Sequence, residues 1–462
     1  MIEKNRQRVS AWIGEHLQEI LTSLKELVAI ESVSSSEACQ RALDMMIYLG
    51  DENNMRLKCR HDDYAVLSMG DGEKALGLAV HLDVVPAGNG WLYPPFQVSK
   101  IGDYLVGRGI NDNKGSAIMA FYAMRCLSEL GLPLRHTLEL VMGTCEETGM
   151  EDIKHYVQNE SMPEWTLVPD GDYPVCFGQK GRFFANIRLP RGPVVFAQAA
   201  PAANMLAEKA VVILEHAKLS VVLEAAAASV DGKITVQGCE QGIRIQADGR
   251  AGHAADPESG VNALRVLVSF LRTLKMDWGE WGKTLDAIAL MVCEEYGSTY
   301  GLKAEDEVFG RMTTVSSCCD VCGDELEISV DARYPQCVSG QTVTDQIDAF
   351  CSYFQLRLCD VGINEPYLLD KNMLIIRQLM RVYRAHTGDM REPYTMCGGT
   401  YARVIPNSVT FGITMPNAST DMRRYLPTEH GEAHQCDETL HIPSYRKSME
   451  IFIDAILAVD AL

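Results

Sequence analysis

Between about residues 64 and 170 the chain repeats one pattern: a short, almost unbroken apolar run followed closely by a side chain able to bind a cation. Residues 76–80 run into His81, 138–142 are followed by Glu146 and Glu147, and 165–168 are followed by Asp170. A helical pattern over 116–129, closed by Gly131 and Pro133, lies between the first two. Apolar runs this short and this uniform are strands buried on both faces. Their alternation with helices predicts an α/β sheet, mixed but largely parallel, covered by helices on both faces. Ligands of such sheets bind beyond the carboxyl ends of the strands, where His81, Glu146, Glu147 and Asp170 fall.

The 462 residues exceed one compact core, so two domains are expected. Residues 181–365 change character: short β-rich stretches at 182–188, 242–246 and 325–330 surround helical patterns at 205–224 and 262–274. Beyond them the α/β pattern returns, with helices at 373–386 and 444–459 and a strand at 408–412. The chain therefore reads as a catalytic domain in two parts, 1–180 and 366–462, interrupted by an inserted α+β lid domain at 181–365. The first 30 residues form an amphipathic helix, with Ile13, Leu17, Ile20, Leu24 and Leu27 on one stripe, and no apolar stretch is long enough for a bilayer. A net charge of −20 disfavours nucleic acid or an anionic membrane as partner and suits a protein that holds multivalent cations. Fifteen cysteines without a framework pattern read as reduced thiols of a cytoplasmic protein. Cys319 and Cys322 form a CxxC beside Cys318, with no second pair to complete a zinc set.

His81 and Asp83 share a strand face, so Asp83 is placed to take the imidazole's other N–H. Asp112, in the glycine-rich segment 107–115, precedes a helix, and reads either as its N-cap or as a carboxylate shared by two cations. Adjacent Glu146 and Glu147 repel unless a cation or a proton relieves them, which suggests one ligand and one proton carrier. Asp170 ends a strand, and His434 lies far along the chain. Two imidazoles and three carboxylates suffice for a pair of divalent ions, zinc or manganese, if one carboxylate bridges.

In this order and spacing the motifs resemble the dinuclear metallopeptidases of the M20 family, most closely the PepV-like dipeptidases that include the manganese-dependent Sapep type. The shared pattern runs through His81-Leu82-Asp83, Gly107 to Gly115, Glu146-Glu147, Pro169-Asp170, Gly252-His253, Asp331-Ala332-Arg333, Gly398-Gly399-Thr400 and His434-Gln435. The resemblance implies that His81 and Asp170 hold one ion, Glu147 and His434 the other, and that Asp112 bridges them. It implies Asp83 as supporting carboxylate, Glu146 as general base and His253 as oxyanion stabiliser. Arg333, Asn204 and Thr400 would bind substrate. Asp170, rather than a glutamate, is similar to the aminopeptidase and dipeptidase branch. The chain departs from the family pattern at Asn113, at Gln179 and along the alanine-rich stretch before Asn204.

The expected function is a dinuclear dipeptidase acting on dipeptides or short peptides, with a metal-bridging water as nucleophile, as a monomer or homodimer. An N-acyl amino-acid deacylase with the same metals, and a non-catalytic metal-dependent binding protein on the same scaffold, are the alternatives.

Overall fold

A computed structural model describes residues 2–228, 233–416 and 421–462. The chain divides into two compact units. One comprises Met1–Gly178, Leu368–Tyr394 and Gly399–Leu462, the other Gln179–Tyr367 and Thr395–Gly398.

The first unit begins with α1 (Ile2–Val28) and α2 (Ala38–Glu52). Next come β1 (Arg56–Arg60), β2 (Tyr64–Met69), β3 (Ala75–His81) and α3 (Lys114–Glu129). The segment closes with β4 (Thr137–Gly143), α4 (Glu151–Asn159) and β5 (Trp165–Val168). After the second unit, α5 (Leu374–Thr387), β6 (Ser408–Thr410) and α6 (Ile442–Asp460) complete it. The strands lie in the order β1-β2-β4-β3-β5-β6. β4, β3, β5 and β6 are parallel, while β1 and β2 add antiparallel at one edge. The expected mixed α/β sheet is thus present.

Strand periodicity explains why both faces are apolar. Leu76, Leu78 and Val80 of β3, with Leu138, Leu140 and Met142 of β4, join one core with α1, α3, α5 and α6. On the opposite face Ala79 and Val141 are equally buried, as are Ile153 and Tyr156 of α4. The Tyr156 ring meets Tyr64 edge-on at 5.7 Å, which seats α4 on that face. Gly143 ends β4 because any side chain there would collide with the Tyr401 hydroxyl and the Asp152 carboxylate. Four parallel strands put four carboxyl ends along one edge, so the loops after β3, β4 and β5 emerge together.

The second unit is an antiparallel sheet. Its strands run Ile234–Cys239, Gly242–Asp248, Lys209–Leu214, Val194–Gln198, Cys319–Cys322, Glu325–Tyr334, Gly181–Pro190 and Arg357–Asn364. Helices Ala263–Thr273, Trp281–Met291 and Gly340–Phe354 share its core. One expectation fails here. The helical reading of 205–224 is replaced by strand Lys209–Leu214 and helix Leu219–Ala228. Ala210, Val212 and Leu214 are buried while the residues between them are not, a period of two that pairing with Gly242–Asp248 enforces. Cys319 is buried and Cys322 exposed at opposite ends of one strand, so the CxxC thiols do not converge. Among the described residues no helix is long and apolar enough to cross a membrane.

Candidate metal centre

His81 is the last residue of β3, and its side chain is almost completely buried. Its Nδ1–H donates to the Asp83 carbonyl oxygen at 3.0 Å, with the Asp83 carboxylate 3.4 Å away. That arrangement assigns the ring proton to Nδ1 and leaves Nε2 as the donor atom for a cation. Nε2 faces Asp112 Oδ1 at 3.1 Å and Asp170 Oδ1 at 3.9 Å. The second Asp112 oxygen lies 3.0 Å from His434 Nε2, which also lies 3.1 Å from Glu147 Oε1. One carboxylate therefore stands between two imidazoles, each of which has a further carboxylate beside it.

Asp112 does not cap α3: the helix starts at Lys114, and Asn113 occupies the cap position. Asn113 Nδ2 instead donates to Asp170 Oδ1 at 2.7 Å and to the Pro169 carbonyl oxygen at 3.0 Å. An aspartate there would set a carboxylate against a carboxylate. Glu146 and Glu147 form a single turn after β4. Their backbone N–H groups donate to the two oxygens of Asp83, each at 3.2 Å, and Ser34 Oγ donates to it at 2.7 Å. Asp83 thus ties the loop after β3 to the loop after β4. Oε1 of Glu146 is buried without a hydrogen-bond partner among the described residues.

Two residues that the motif reading passed over hold this edge together. The Glu438 carboxylate accepts N–H groups from Gly109, Asn111 and Asp112 at 2.9–3.0 Å and pairs with the buried Arg108 guanidinium at 2.9 Å. Arg108 also donates to the His434 carbonyl oxygen at 3.3 Å. His434 needs that support, because its φ of +65° lies in the left-handed region that a non-glycine residue adopts at a cost.

The electrostatics describe a site short of positive charge. Burial, then the neighbouring Asp112 and Glu147 charges, push Asp170 up to about 7 against the pull of His81. Burial raises Glu146 well above the usual carboxylate range, with Asp170, Glu147 and Asp112 adding to it and His81 opposing. Burial and Asp112 raise Glu147 too. Burial also opposes ionisation of Asp112, but hydrogen bonds from His434 and His81 outweigh it and hold that acid low. Burial would lower His434, yet Asp112 and Glu147 lift it to about 11. Crowded carboxylates that cannot all ionise, around imidazoles forced to supply the missing charge, are what divalent cations relieve. His81, Asp112 and Glu147 donors lie within 4.8 Å of one another, and the mixed nitrogen and oxygen set suits zinc or manganese.

The remaining candidates are engaged locally. Thr400 Oγ1 accepts from Ala402 N–H and lies 3.0 Å from Thr410 Oγ1, so it caps the short turn Tyr401–Arg403. In the second unit, Ala254 N–H donates to the Asn204 carbonyl oxygen, which sets Asn204 beside His253. Ala255 N–H donates to His253 Nδ1 at 3.0 Å, placing the proton of a neutral ring on Nε2. Arg333 is buried, pairs with both oxygens of Asp331 and donates to the Cys397 carbonyl oxygen at 2.9 Å.

The sequence profile of peptidase family M20/M25/M40 matches residues 77–458, most of the chain. The chain belongs to that family. This M20 peptidase is 28% identical to a candidate dipeptidase of Staphylococcus epidermidis, the alignment covering 96% of this chain and 98% of the other. It is 25% identical to another candidate dipeptidase, YtjP of Bacillus subtilis, over 95% and 96% of the two chains. Its fold is similar to that of the dipeptidase Dug1p of Saccharomyces cerevisiae, with a TM-score of 0.63, 11% identity and 99% of each chain covered. Human carnosine dipeptidase 1 is similar at a TM-score of 0.61 and 15% identity, again over 99% of each chain.

Proposed function

We propose that this M20 peptidase is a dipeptidase that hydrolyses dipeptides or short peptides with two divalent cations, zinc or manganese. His81 and Asp170 would hold one, Glu147 and His434 the other, and Asp112 would serve both. The observation that carries the reading is the Asp112 carboxylate, set between two imidazoles at 3.0 and 3.1 Å where three parallel strands end. Bound there, such ions supply Lewis acidity that polarises a scissile carbonyl and makes water acidic enough to act as nucleophile at neutral pH. The chain's own groups do the rest. Glu146 accepts the proton of the attacking water at Oε1 and returns it to the departing amine nitrogen, a role that its buried, unpartnered Oε1 fits. Asp83 keeps Glu146 and Glu147 in place through their N–H groups. Arg333 is assigned to the terminal carboxylate of the substrate through its planar fork, and His253 to the carbonyl oxygen through Nε2–H.

The deciding experiment is a hydrolysis screen of dipeptides, tripeptides, N-acetyl amino acids and C-terminally amidated dipeptides in the presence of Mn²⁺ or Zn²⁺. Dipeptides should be turned over and N-acetyl amino acids left intact; the reverse would make the protein a deacylase. Glu146→Gln should keep wild-type metal content and lose about 10²–10⁴-fold in kcat. Retention of most activity would remove Glu146 as base. Arg333→Ala should lower kcat/KM for dipeptides far more than for their amides, and equal losses would remove Arg333 from carboxylate recognition.

A further inference from the structure

A second cluster of metal-capable side chains lies in the first unit and belongs to none of the loops discussed above. Cys59 sits on the edge strand β1, His61 in the tight turn that follows it, and Glu160 immediately after α4. Their sulfur, imidazole nitrogen and carboxylate oxygen donors all lie within 4.8 Å of one another. We propose that Cys59, His61 and Glu160 form a separate site for a thiolate-binding divalent cation of the zinc class, which clips the edge strand to the end of α4.

The local structure is organised around that point. A bulge between Leu57 and Cys59 turns β1. His61 N–H donates to the Tyr64 carbonyl oxygen at 2.8 Å, and the His61 ring stacks on Tyr64 at 4.5 Å, so the imidazole is held in one orientation. Charge is unbalanced in the cation's favour. Lys58 Nζ is shared between Glu139 at 2.9 Å and Glu160 at 3.8 Å, one ammonium for two carboxylates. Glu139 is only 5% exposed, and its Oε2 is buried with no partner among the described residues. The Tyr156 hydroxyl, in the last turn of α4, is also buried with no hydrogen-bond partner among the described residues. Two orphaned polar atoms against one cluster are a cost that a bound ion and its water would offset. The C-terminal end of a helix adds a favourable field for a cation. His61 is exposed and Cys59 and Glu160 are half-buried, so the cluster is open to solvent.

The donor types choose the ion. A thiolate with imidazole and one carboxylate suits zinc or cobalt, while magnesium and calcium prefer oxygen-only sets. Burial, then the Glu160 charge, push the Cys59 thiol up to about 12, so it is protonated until metal enters. Binding therefore releases the Cys59 proton to solvent as the sulfur–metal bond forms. An ion here would fix α4, whose Asp152 carboxylate accepts the Thr144 and Cys145 N–H groups at 2.6 and 2.7 Å just before Glu146.

Cobalt(II) titrated into Mn²⁺-saturated protein tests this. The Asp112 centre contains no sulfur, so thiolate-to-cobalt charge-transfer absorption in the near ultraviolet reports only a cysteine site. The wild type should develop that absorption, saturating at one ion per chain, and Zn²⁺ should displace it. Cys59→Ser should abolish it and bind one equivalent less, while Cys145→Ser keeps it. His61→Ala should weaken cobalt binding at least as much as the roughly 10–100-fold that loss of a mere supporting group costs. Hydrolysis by Cys59→Ser should match wild type, and its far-ultraviolet circular dichroism should be unchanged. No sulfur absorption in the wild type, or undiminished absorption in Cys59→Ser, would overturn the site and leave Lys58 as a counter-charge to Glu139 and Glu160. Either result leaves the dipeptidase reading untouched.

Discussion

Asp83 shows how much of a metal centre resides in a side chain that touches no substrate. Its two oxygens receive the N–H groups of Glu146 and Glu147, and its own carbonyl oxygen orients His81. Substituting a carboxamide keeps the volume but presents an NH₂ group to at least one backbone donor. Asp83→Asn should therefore retain the fold and weaken binding of Mn²⁺ by about 10–100-fold, as measured by titration calorimetry on metal-depleted protein. Unchanged affinity would mean that Asp83 only fills space. The two-residue repeat of a strand places His81 and Asp83 on one face in the sequence, but β3 ends at His81, and the ring N–H goes to the Asp83 backbone carbonyl oxygen, with the carboxylate 3.4 Å away. That Asp83 would also hold the loop after β4 was not legible, because the partner groups are backbone amides more than sixty positions later, and every sequence has those.

At the scale of elements, legibility followed the length of the periodic signal. The stripe on α1 and the apolar runs of β3, β4 and β5 are long enough to declare themselves. The segment around Lys209–Leu214 misled, since valine, isoleucine and alanine in a short run fit either period until a neighbouring strand selects one. The clamp between Glu438 and the 107–112 segment is the clearest omission. Its information lies in N–H groups of Gly109, Asn111 and Asp112, with the acid some 330 residues away. Removing that acid takes the carboxylate partner from the buried Arg108 guanidinium and leaves it the His434 carbonyl oxygen. Glu438→Ala should cost about 3–5 kcal/mol in urea unfolding, the usual penalty for breaking a buried ion pair from one side. A loss under 1 kcal/mol would show that water replaces the carboxylate. The milder Glu438→Gln keeps one acceptor and should fold, with metal affinity lowered through Asp112 and His434.

For the whole molecule, the sequence suggests a second domain by a change of rhythm, from strand–helix alternation to short β-rich stretches and back, and the chain divides into units whose second comprises Gln179–Tyr367 and Thr395–Gly398. The convergence of His434 with Asp112 was visible only through the order of motifs, because nothing local marks a histidine that far along the chain as a neighbour of β3. The cost of gathering these groups has a measurable consequence. Without cations, Asp170, Glu146 and Glu147 titrate above the unfolded value of about 4, so the folded chain binds more protons than the unfolded one as pH rises from there. Stability must then fall with rising pH, through the Asp170 value of about 7. His434, lifted to about 11 from an unfolded value near 6.5, acts in the same direction over the higher range, since the proton it favours in the fold is lost there. Asp112 and Asp83 are depressed, and their contribution, present above the unfolded carboxylate range, is withdrawn only in stronger acid. The chelated protein should therefore melt at progressively lower temperature between pH 5 and pH 8. Divalent ions replace the missing charge and bind more tightly as the competing protons leave, so the metal-loaded protein should keep its Tm over that range. Differential scanning calorimetry with excess Mn²⁺ and with chelator measures both curves. Parallel curves would mean that the carboxylates are balanced by something other than cations, whereas a gap that widens with pH is the signature of a fold stabilised by the ions it holds.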